Sequence, residues 1–464
     1  MTSEGSQRGH FPQSTSISTA TLKAGRLAKR PAAMRGSFLT SRPVLARVLS
    51  IAATFALSAI VARELGVDSA GRFFVIFTVI TVAATVSRFG TDNLALKIVA
   101  ANPNSRTTVR VLFLICIATS VIVSVFLAGI TPLLLDLTHG LAIPVNSAEV
   151  AVVAVPPMAL SVLAGAVLRG RGRVAYGTLA ELGSTPVLAG IGIWVAAHVT
   201  HMTLGKVLCI LVVASIVTVA WSIPVVFHCS RVERRNSEPR LKLYAYLRSN
   251  HRALVSMMGT SVLFYLITWS PLFALAAVST SRQVSYFAVS ARIAAFIALI
   301  PAIQTSYLAP RFATLHANGR IFELNRLCAV STKRAALIAA VPAVLITASP
   351  ARALAIFGSD FTDAAQVLRV LCISGLLVVA FGQVNSLMLT CGFEHVAFAL
   401  NLAAAVASLV MALIAAELFG ATGVAVVSAF GATMYALTAA AVLQMRGGIR
   451  SSAGLPPRPR RADR

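Results

Sequence analysis

Three arginines stand out in this sequence because each lies within, or at the edge of, a long apolar stretch. Arg292 lies well inside one stretch, whereas Arg47 and Arg88 lie near the ends of two others. A charged side chain surrounded by hydrocarbon is costly, so such residues usually face a water-filled cavity or a partner. Arginine offers a planar fork of donors that matches the oxygens of a phosphate group. The three residues therefore predict a binding site for an anionic group.

Simpler interpretations stay open for all three arginines. Arg292 could extend to the membrane surface or bind a backbone carbonyl, and Arg47 and Arg88 lie close enough to the predicted surface to do the same. Polar uncharged residues in the second half of the chain could hydrogen-bond the hydroxyls of a sugar, although such residues more often join one membrane helix to another. These residues are Gln304, Gln383, Asn385 and Asn401.

Groups for catalysis or metal binding are sparse. The 6 cysteines lie far apart, without the paired spacing of a metal site or a disulfide framework, and no P-loop pattern occurs. The carboxylates nearest to the apolar stretches fall at or near their ends, where solvation by water explains them. These are Asp92, Asp136, Glu181, Glu394 and Glu417. The sequence therefore predicts no catalytic residue, metal or cofactor, and it assigns no ion-coupling residue.

The elements that position these residues are membrane-spanning helices. The chain is 57% hydrophobic and 12% charged over 464 residues, too apolar for a protein whose surface is wet. Its apolar blocks run for roughly 17 to 25 residues, the length at which a helix crosses the hydrocarbon core. Twelve spans are predicted, near 44–63, 73–90, 110–135, 149–168, 178–199, 205–227, 254–278, 286–308, 335–357, 367–389, 394–418 and 421–444. The fold class is an all-α integral membrane protein.

The distribution of positive charge predicts the orientation of these helices. If the N-terminus is cytoplasmic, about 32 of the 40 lysines and arginines fall in or beside cytoplasmic segments, as the positive-inside rule requires. Dense basic segments follow the fourth, sixth and eighth spans, at 169–173, 231–252 and 311–334. Both termini are therefore predicted to be cytoplasmic. The net charge of +25 is assigned to this topology and not to nucleic-acid binding.

A faint internal repeat predicts two halves. The residues Gly170, Val174, Ala175 and Tyr176 recur as Gly392, Val396, Ala397 and Phe398, after the fourth span of each half. Since each half has an even number of spans, the two halves are expected to be parallel repeats with a substrate site between them. The predicted parts are a disordered basic cytoplasmic tail (1–43), a six-helix bundle (44–227), a basic cytoplasmic linker (228–253), a second six-helix bundle (254–444) and a basic cytoplasmic tail (445–464).

Four short segments carry a resemblance to a known family. They read VARELGVDSAG at 61–71, RFGTD at 88–92, YFAVSARI at 286–293 and IFGSDF at 356–361. In this order and spacing they resemble the turn and helix-start motifs of the polysaccharide transporter family, the Wzx-type flippases. That family belongs to the multidrug/oligosaccharidyl-lipid/polysaccharide exporter (MOP) superfamily. The likeness extends over roughly residues 44 to 445.

The resemblance implies a substrate and a location. Members of the family flip an oligosaccharide linked to undecaprenyl diphosphate across the bacterial plasma membrane by alternating access, for surface polysaccharide biosynthesis. Arg292 falls on the arginine of the family's eighth-helix motif, which implies a role in binding the diphosphate; Arg88 and Arg47 would meet it on the loading side. The partners expected from the family are the lipid-linked oligosaccharide, membrane lipids and the polysaccharide polymerase machinery.

Two alternatives belong to other functional classes. A cation-coupled multidrug exporter of the same superfamily would need acidic residues deep in its helices, and spans one, four, seven and ten have none in mid-membrane. A membrane enzyme of polysaccharide assembly would need acid–base or metal-binding groups and a sizeable loop to shape its active site. The predicted outer loops are short, and His201 in one of them has no partner nearby in sequence. A transporter, not an enzyme, is therefore predicted.

Overall fold

The computed structural model describes residues 42–101, 106–136, 138, 141–228, 259 and 268–449. Most of the two predicted tails, nearly all of the 228–253 linker and the first half of the predicted seventh span lie outside these residues, so their structure stays a prediction. The elements of the described part are helices.

Most of the helices follow the predicted spans closely. In chain order they are α1 (Arg42–Ser87), α2 (Thr91–Ala101), α3 (Arg106–Asp136), α4 (Val145–Val152), α5 (Val155–Gly170), α6 (Val174–Thr178), a π-helical segment (Leu179–Gly183), α7 (Ser184–Ala197), α8 (Leu204–His228), α9 (Thr268–Val278), α10 (Ser281–Ala317), α11 (Ile321–Ala348), α12 (Pro350–Leu354), a 3₁₀ segment (Ser359–Ala364), α13 (Ala365–Phe381), α14 (Val384–Thr390) and α15 (Glu394–Gly447).

Two of these helices each contain two spans. In the described residues, 9 helical stretches are long and apolar enough to cross a membrane, but α1 and α15 have 46 and 54 residues. Straight helices of that size would be about 69 and 81 Å long, over twice the thickness of the hydrocarbon core. Gly66 (φ 70°) and Gly420 (φ 58°) break them, in a conformation that only glycine adopts readily. Divided there, the stretches give eleven spans, and α9 is the described part of a twelfth.

The end of the eighth span and the start of the ninth were predicted too short, and the ninth span, predicted to end at 357, ends at Ala348. α10 continues to Ala317 and α11 begins at Ile321, so the two helices nearly meet where the sequence predicted a loop from 309 to 334. Hydropathy detects only the part of a helix that lies in hydrocarbon. A helix that continues into water keeps its backbone hydrogen bonds while its side chains become polar, and Arg311 and Arg334 lie in such extensions.

The turns after the fourth and tenth spans have the same geometry. Gly172 and Gly392 both have positive φ (77° and 84°), and the next residue in each turn donates to a carbonyl five positions back, at 3.0 and 2.9 Å. This is the Schellman helix end. The structural equivalence is thus Gly172 with Gly392, whereas the sequence repeat paired Gly170 with Gly392, two residues out of register.

Two helices organise the packing. α5 contacts α1, α2, α3 and α8, and α10 packs along α1 as well as against α11 and α13. In the most apolar window of the fourth span, which α4 and α5 form, 61% of residues are buried, compared with 17% for α15. Large apolar side chains such as Phe126, Leu337 and Phe419 are exposed instead, as expected for surfaces that face lipid. The contact between α1 and α10 joins the first half of the chain to the second.

Candidate substrate-binding site

Arg292 lies on α10, where that helix packs against α1. Its guanidinium lies over the ring of the fully buried Phe74, 4.0 Å from the ring centroid. Its Nη1 donates a 3.0 Å hydrogen bond to the carbonyl oxygen of Ala288, one turn earlier on its own helix. The aromatic face attracts the cation and removes water from one side of it. A half-buried cation with donors to spare therefore lies between the two halves of the chain, at the position that the sequence singled out.

The start of α10 closes against α1 at the predicted outer end of these helices. The contact is close enough that a Cβ atom on Gly71 would overlap the carbonyl oxygen of Ser281. The hydroxyl of Ser285 donates to the carbonyl oxygen of Val67. The hydroxyl of Ser281 donates to the carbonyl oxygen of Leu141 at 3.3 Å. We call Val67, Gly71, Ser281 and Ser285 the serine seam.

Further contacts hold the same two halves together near the seam. Arg63 Nε donates to the carbonyl oxygen of Ile356 at 2.6 Å, and Phe55 packs edge-on against Phe296 and Phe357 with ring centroids 4.9 and 5.1 Å apart. The conformation is therefore one in which the halves are closed at the predicted outer end.

Arg88 is largely engaged by its own neighbourhood. Its side chain is buried, and its three nitrogens contact Asp92 (3.2 Å), Thr85 (2.8 Å) and the carbonyl oxygen of Ala84 (3.2 Å). Asp92 lies in the first turn of α2, is only 20% exposed and is the ion-pair partner of Arg88, so solvation by water alone does not account for it. In this conformation Arg88 supports the turn between the second and third spans.

Glu181 is a second carboxylate that the sequence interpreted wrongly. It lies in the π-helical segment and forms an ion pair with Arg169 of α5. The pairing follows from a close crossing of two helices, since a Cβ atom on Gly165 would lie 2.7 Å from the carbonyl oxygen of Gly177. Arg169 and Glu181 each follow one of these glycines by four residues, so both charges lie one turn from the crossing and meet there.

Several charged residues gather around Glu181. Besides Arg169, its carboxylate interacts electrostatically with Arg88, Arg47 and Asp92. Arg47 is exposed, and it lies one turn before Ser50, whose hydroxyl contacts the π-helical segment at Gly183. We call these five charged residues the arginine cluster; its members are Arg47, Arg88, Asp92, Arg169 and Glu181.

The structure therefore brings together two of the three predicted site arginines. Arg88 and Arg47 share the arginine cluster, whereas Arg292 contacts Phe74. Phe74 and Arg88 are fourteen residues apart along the second span, which corresponds to about 21 Å along a helix. The result is two separate cationic regions on the same span, one near each end.

Arg169 and Glu181 were not predicted as site residues, although the sequence contains a signal for their contact. Each follows a glycine by four residues, and a glycine in a membrane helix marks a position where two helices can approach closely. That signal indicates that the two charged residues could face each other. By position in the sequence alone, Arg169 is only a topological signal and Glu181 is a solvated residue.

The polar residues of the second half join helices, as the simpler interpretation had it. Gln383 lies where the tenth span breaks between α13 and α14; its amide donates to Gln304 at 3.2 Å, and it accepts from Thr305 at 3.0 Å. Asn385 accepts a 3.0 Å hydrogen bond from Tyr435. These contacts engage Gln304, Gln383 and Asn385 without a sugar, and Asn401 donates at 2.8 Å to the carbonyl oxygen of Ala397 on its own helix.

An apolar groove lies beside the closed end. It has a volume of about 320 Å³ and is lined by the second, third, fourth and seventh spans, including Ile80, Leu127, Val152 and Phe273. The hydroxyl of Thr131 in its wall is already bonded to the carbonyl oxygen of Leu127. Among the described residues, no group of three or more His, Cys, Asp or Glu side chains is arranged to hold a metal ion.

Comparisons with known proteins identify the fold. No protein-family model and no curated protein sequence matches this chain. Among solved structures, the lipid II flippase MurJ in an inward closed conformation superposes with a TM-score of 0.68 at 11% identity, covering 87% of each chain. A multidrug resistance MATE family transporter of the MOP superfamily, in an inward-facing conformation, gives 0.65 at 16% identity, covering 88% of this chain and 98% of that one. The chain shares its fold with these MOP superfamily proteins.

Two other matches agree with this fold. The Vibrio cholerae MATE transporter VcmN, as a point mutant, gives a TM-score of 0.61 at 17% identity, covering 87% of this chain and 94% of that one. A multidrug resistance MATE family transporter of the MOP superfamily in an outward-facing conformation gives a TM-score of 0.56 at 16% identity, covering 87% of this chain and 94% of that one. The matched proteins are transporters and a flippase. At these identities the likeness establishes the fold, and it leaves the substrate to argument from the site.

Proposed function

We propose that this protein flips an oligosaccharide linked to undecaprenyl diphosphate across the bacterial plasma membrane, by alternating access, for surface polysaccharide biosynthesis. The bundles 44–227 and 254–444 would rock against each other, with both termini in the cytoplasm. Arg292, Arg88 and Arg47 would bind the diphosphate, and a polysaccharide polymerase would receive the product. The fold provides the transport framework. The substrate, the membrane and the polymerase partner come from the resemblance of four sequence segments to the Wzx-type flippases, and the charges of the chain support an anionic group in the substrate.

The observation that supports the proposal most is the environment of Arg292. A half-buried cation held against the ring of Phe74, between two halves of a transporter fold, favours an anionic ligand. The arginine cluster contributes three cations and two carboxylates, so positive charge is in excess there as well. A diphosphate is the part of a glycolipid that this charge distribution complements.

The conformation fits the loading step of such a cycle. With the serine seam closed at the predicted outer end, the arginine cluster lies near the predicted cytoplasmic ends of its spans. A lipid-linked substrate made in the cytoplasm would meet these arginines first. Opening of the seam would then expose Arg292 to the other side.

A cation-coupled multidrug exporter remains the second candidate, because MATE transporters are among the proteins that share the fold. A pocket for cationic drugs would need carboxylates without a cation beside them. In the described part of the first half, both half-buried acids, Asp92 and Glu181, are paired with arginine. This pairing favours an anionic substrate.

The decisive experiment measures undecaprenyl-diphosphate-linked oligosaccharide in cells that lack the protein. We expect the lipid-linked intermediate to accumulate on the cytoplasmic side, and wild-type protein to clear it. Arg292→Ala at equal membrane abundance should clear it poorly. Arg352→Ala, which removes an exposed arginine, is the matched control and should clear it as wild type does.

The outcomes separate the parts of the proposal. If no lipid-linked intermediate accumulates in the deletion strain, the flippase function is wrong, and the drug-export alternative is tested by sensitivity to cationic dyes. If Arg292→Ala clears the intermediate fully, the function stands and the assignment of Arg292 is wrong.

A further inference from the structure

We infer that Arg169 binds a diphosphate group, and that Glu181 forms its ion pair with Arg169 only while no diphosphate is bound. The inference rests on the proposed function, and it adds two residues, from the fourth and fifth spans, that the sequence did not assign to binding. The chemistry is an exchange of partners, in which a phosphate oxygen replaces a carboxylate oxygen on one guanidinium. No covalent bond changes.

The first support is that the helices position the pair without needing its charges. The glycine crossing already holds α5 against α6, with a Cβ on Gly177 only 2.7 Å from the Cγ of Arg169 and one on Gly165 2.9 Å from the Cβ of Glu181. Close backbone contact of this kind is the usual source of helix association in lipid. The glycine contact therefore already stabilises the association of the two helices, and an ion pair with only that role would be redundant.

The second support is donor capacity that the protein does not use. The Nε of Arg169 is buried and has no hydrogen-bond partner among the described residues, although the guanidinium contacts Glu181. A buried donor without an acceptor is unfavourable. A phosphate group has enough oxygens to accept from two nitrogens of the same guanidinium, a geometry that arginine is suited to.

The third support is the charge that surrounds the pair. The arginine cluster holds three cations and two carboxylates, which leaves one positive charge in excess. If a phosphate displaces Glu181 from Arg169, the carboxylate keeps Arg88 and Arg47 as electrostatic partners and is not left in lipid without compensation. The exchange therefore costs less than the breaking of an isolated buried ion pair.

The fourth support is access. The side chains of Arg169 and Glu181 keep 26% and 18% of their full exposure, so a ligand can reach the pair without unfolding the helices. Arg47, next to them, is exposed. Glu181 also lies in a π-helical segment, a local widening that is frequent at functional sites and gives its side chain a different direction from a regular helix.

The test is binding of inorganic pyrophosphate and of farnesyl diphosphate to the purified full-length protein in neutral detergent, measured by calorimetry. Glu181→Gln keeps the size of the side chain but releases Arg169, so we expect at least about fivefold tighter binding of both ligands, a typical size for coupling between two sites. A purely structural ion pair predicts the opposite, namely a less stable protein with no gain in affinity, and that result would overturn the inference.

A double variant keeps the test decisive if Glu181→Gln does not fold. Arg169→Gln combined with Glu181→Gln leaves no unpaired charge, so the protein should keep a thermal midpoint close to that of wild type. We expect it to bind both ligands at least about fivefold more weakly than wild type. Unchanged binding by this variant would also overturn the inference.

Matched controls isolate the effect of position. Glu417→Gln makes the same change at an exposed carboxylate, and Arg173→Gln makes it at an exposed arginine four residues after Arg169. Both should leave the affinities unchanged; a gain of affinity in Glu417→Gln equal to that in Glu181→Gln would reduce the effect to net charge and overturn the inference.

The two ligands separate the sources of the diphosphate. Tighter binding of farnesyl diphosphate than of pyrophosphate supports a lipid-linked ligand, and equal binding supports the diphosphate group alone. Because binding is measured on purified protein, its failure is independent of the accumulation of lipid-linked intermediates in cells. The flippase proposal can therefore stand while this inference falls, and the reverse.

Discussion

The serine seam and the arginine cluster hold opposite ends of the second span by different means. At the seam, the backbone of α1 touches that of α10 through Gly71 and Ser281, with serine hydroxyls bonded to carbonyl oxygens. In the cluster, long charged side chains meet, and at least one donor has no acceptor. Backbone contacts of this kind are either made or broken, whereas ion pairs can exchange partners. The end with the serine seam is therefore suited to closing, and the end with the arginine cluster is suited to binding.

The largest effect is expected from removing a carboxylate of the cluster. Asp92→Ala leaves the buried guanidinium of Arg88 without its ion-pair partner, and an uncompensated buried charge costs about 3 kcal/mol. We expect a marked fall in the thermal midpoint of the purified protein in detergent. Asp136→Ala, at an exposed carboxylate, is the control, and an equal fall in both variants would mean that Arg88 does not depend on Asp92.

A steric change should break the other end of the comparison. In Gly71→Ala the added methyl group overlaps the carbonyl oxygen of Ser281, and overpacking of a tight contact costs about 1–3 kcal/mol. The seam should open, so that a cysteine at position 281 in a cysteine-free background reacts faster with a membrane-impermeant maleimide added outside cells.

The control for this variant lies on another span. Gly129→Ala adds the same methyl group where no atom lies within 4 Å, and it should leave the labelling rate unchanged. If Gly71→Ala also leaves the rate unchanged, the seam is not the closure of the outer end. Labelling only from the cytoplasmic side would instead contradict the predicted orientation.

How much of this could be predicted from the sequence depends on which force sets each feature. Lipid imposes a length on apolar helices, so most spans were located to within a few residues. The extensions of α10 and α11 were missed because hydropathy does not register a helix that continues into water. The breaks at Gly66 and Gly420 were placed between predicted spans, yet their geometry came only from the structure.

The site was predictable only where one residue carries the signal. Arg292 is conspicuous because its charge lies within an apolar stretch, but its contact with Phe74 joins distant parts of the chain. The pairing of Arg169 with Glu181 depends on two glycines that cross in space. A single sequence contains these residues but no distances between them, so the carboxylates were interpreted as solvated.

A smaller effect should sharpen the difference between Arg292 and the arginine cluster. Phe74→Leu removes the ring beneath the guanidinium of Arg292, and a half-buried cation–π contact is worth about 1–2 kcal/mol. We expect slower clearance of lipid-linked intermediate together with a modest loss of thermal stability. Phe312→Leu is the control, since Phe312 is as buried as Phe74 but belongs to a separate apolar cluster; it should lose stability without slowing clearance more than that loss explains.

The smallest effect compares two buried serines on α10. Ser285 donates to the carbonyl oxygen of Val67 across the seam, whereas the hydroxyl of Ser290 has no partner among the described residues. Ser285→Ala should cost about 1 kcal/mol, the usual net value of a hydrogen bond. Ser290→Ala removes an unsatisfied buried hydroxyl and should be neutral or stabilising. Thermal midpoints of the two variants should therefore move apart, and because both changes delete one hydroxyl from one helix, their difference isolates the bond that crosses between the halves; equal midpoints would mean that the seam is held by backbone packing alone.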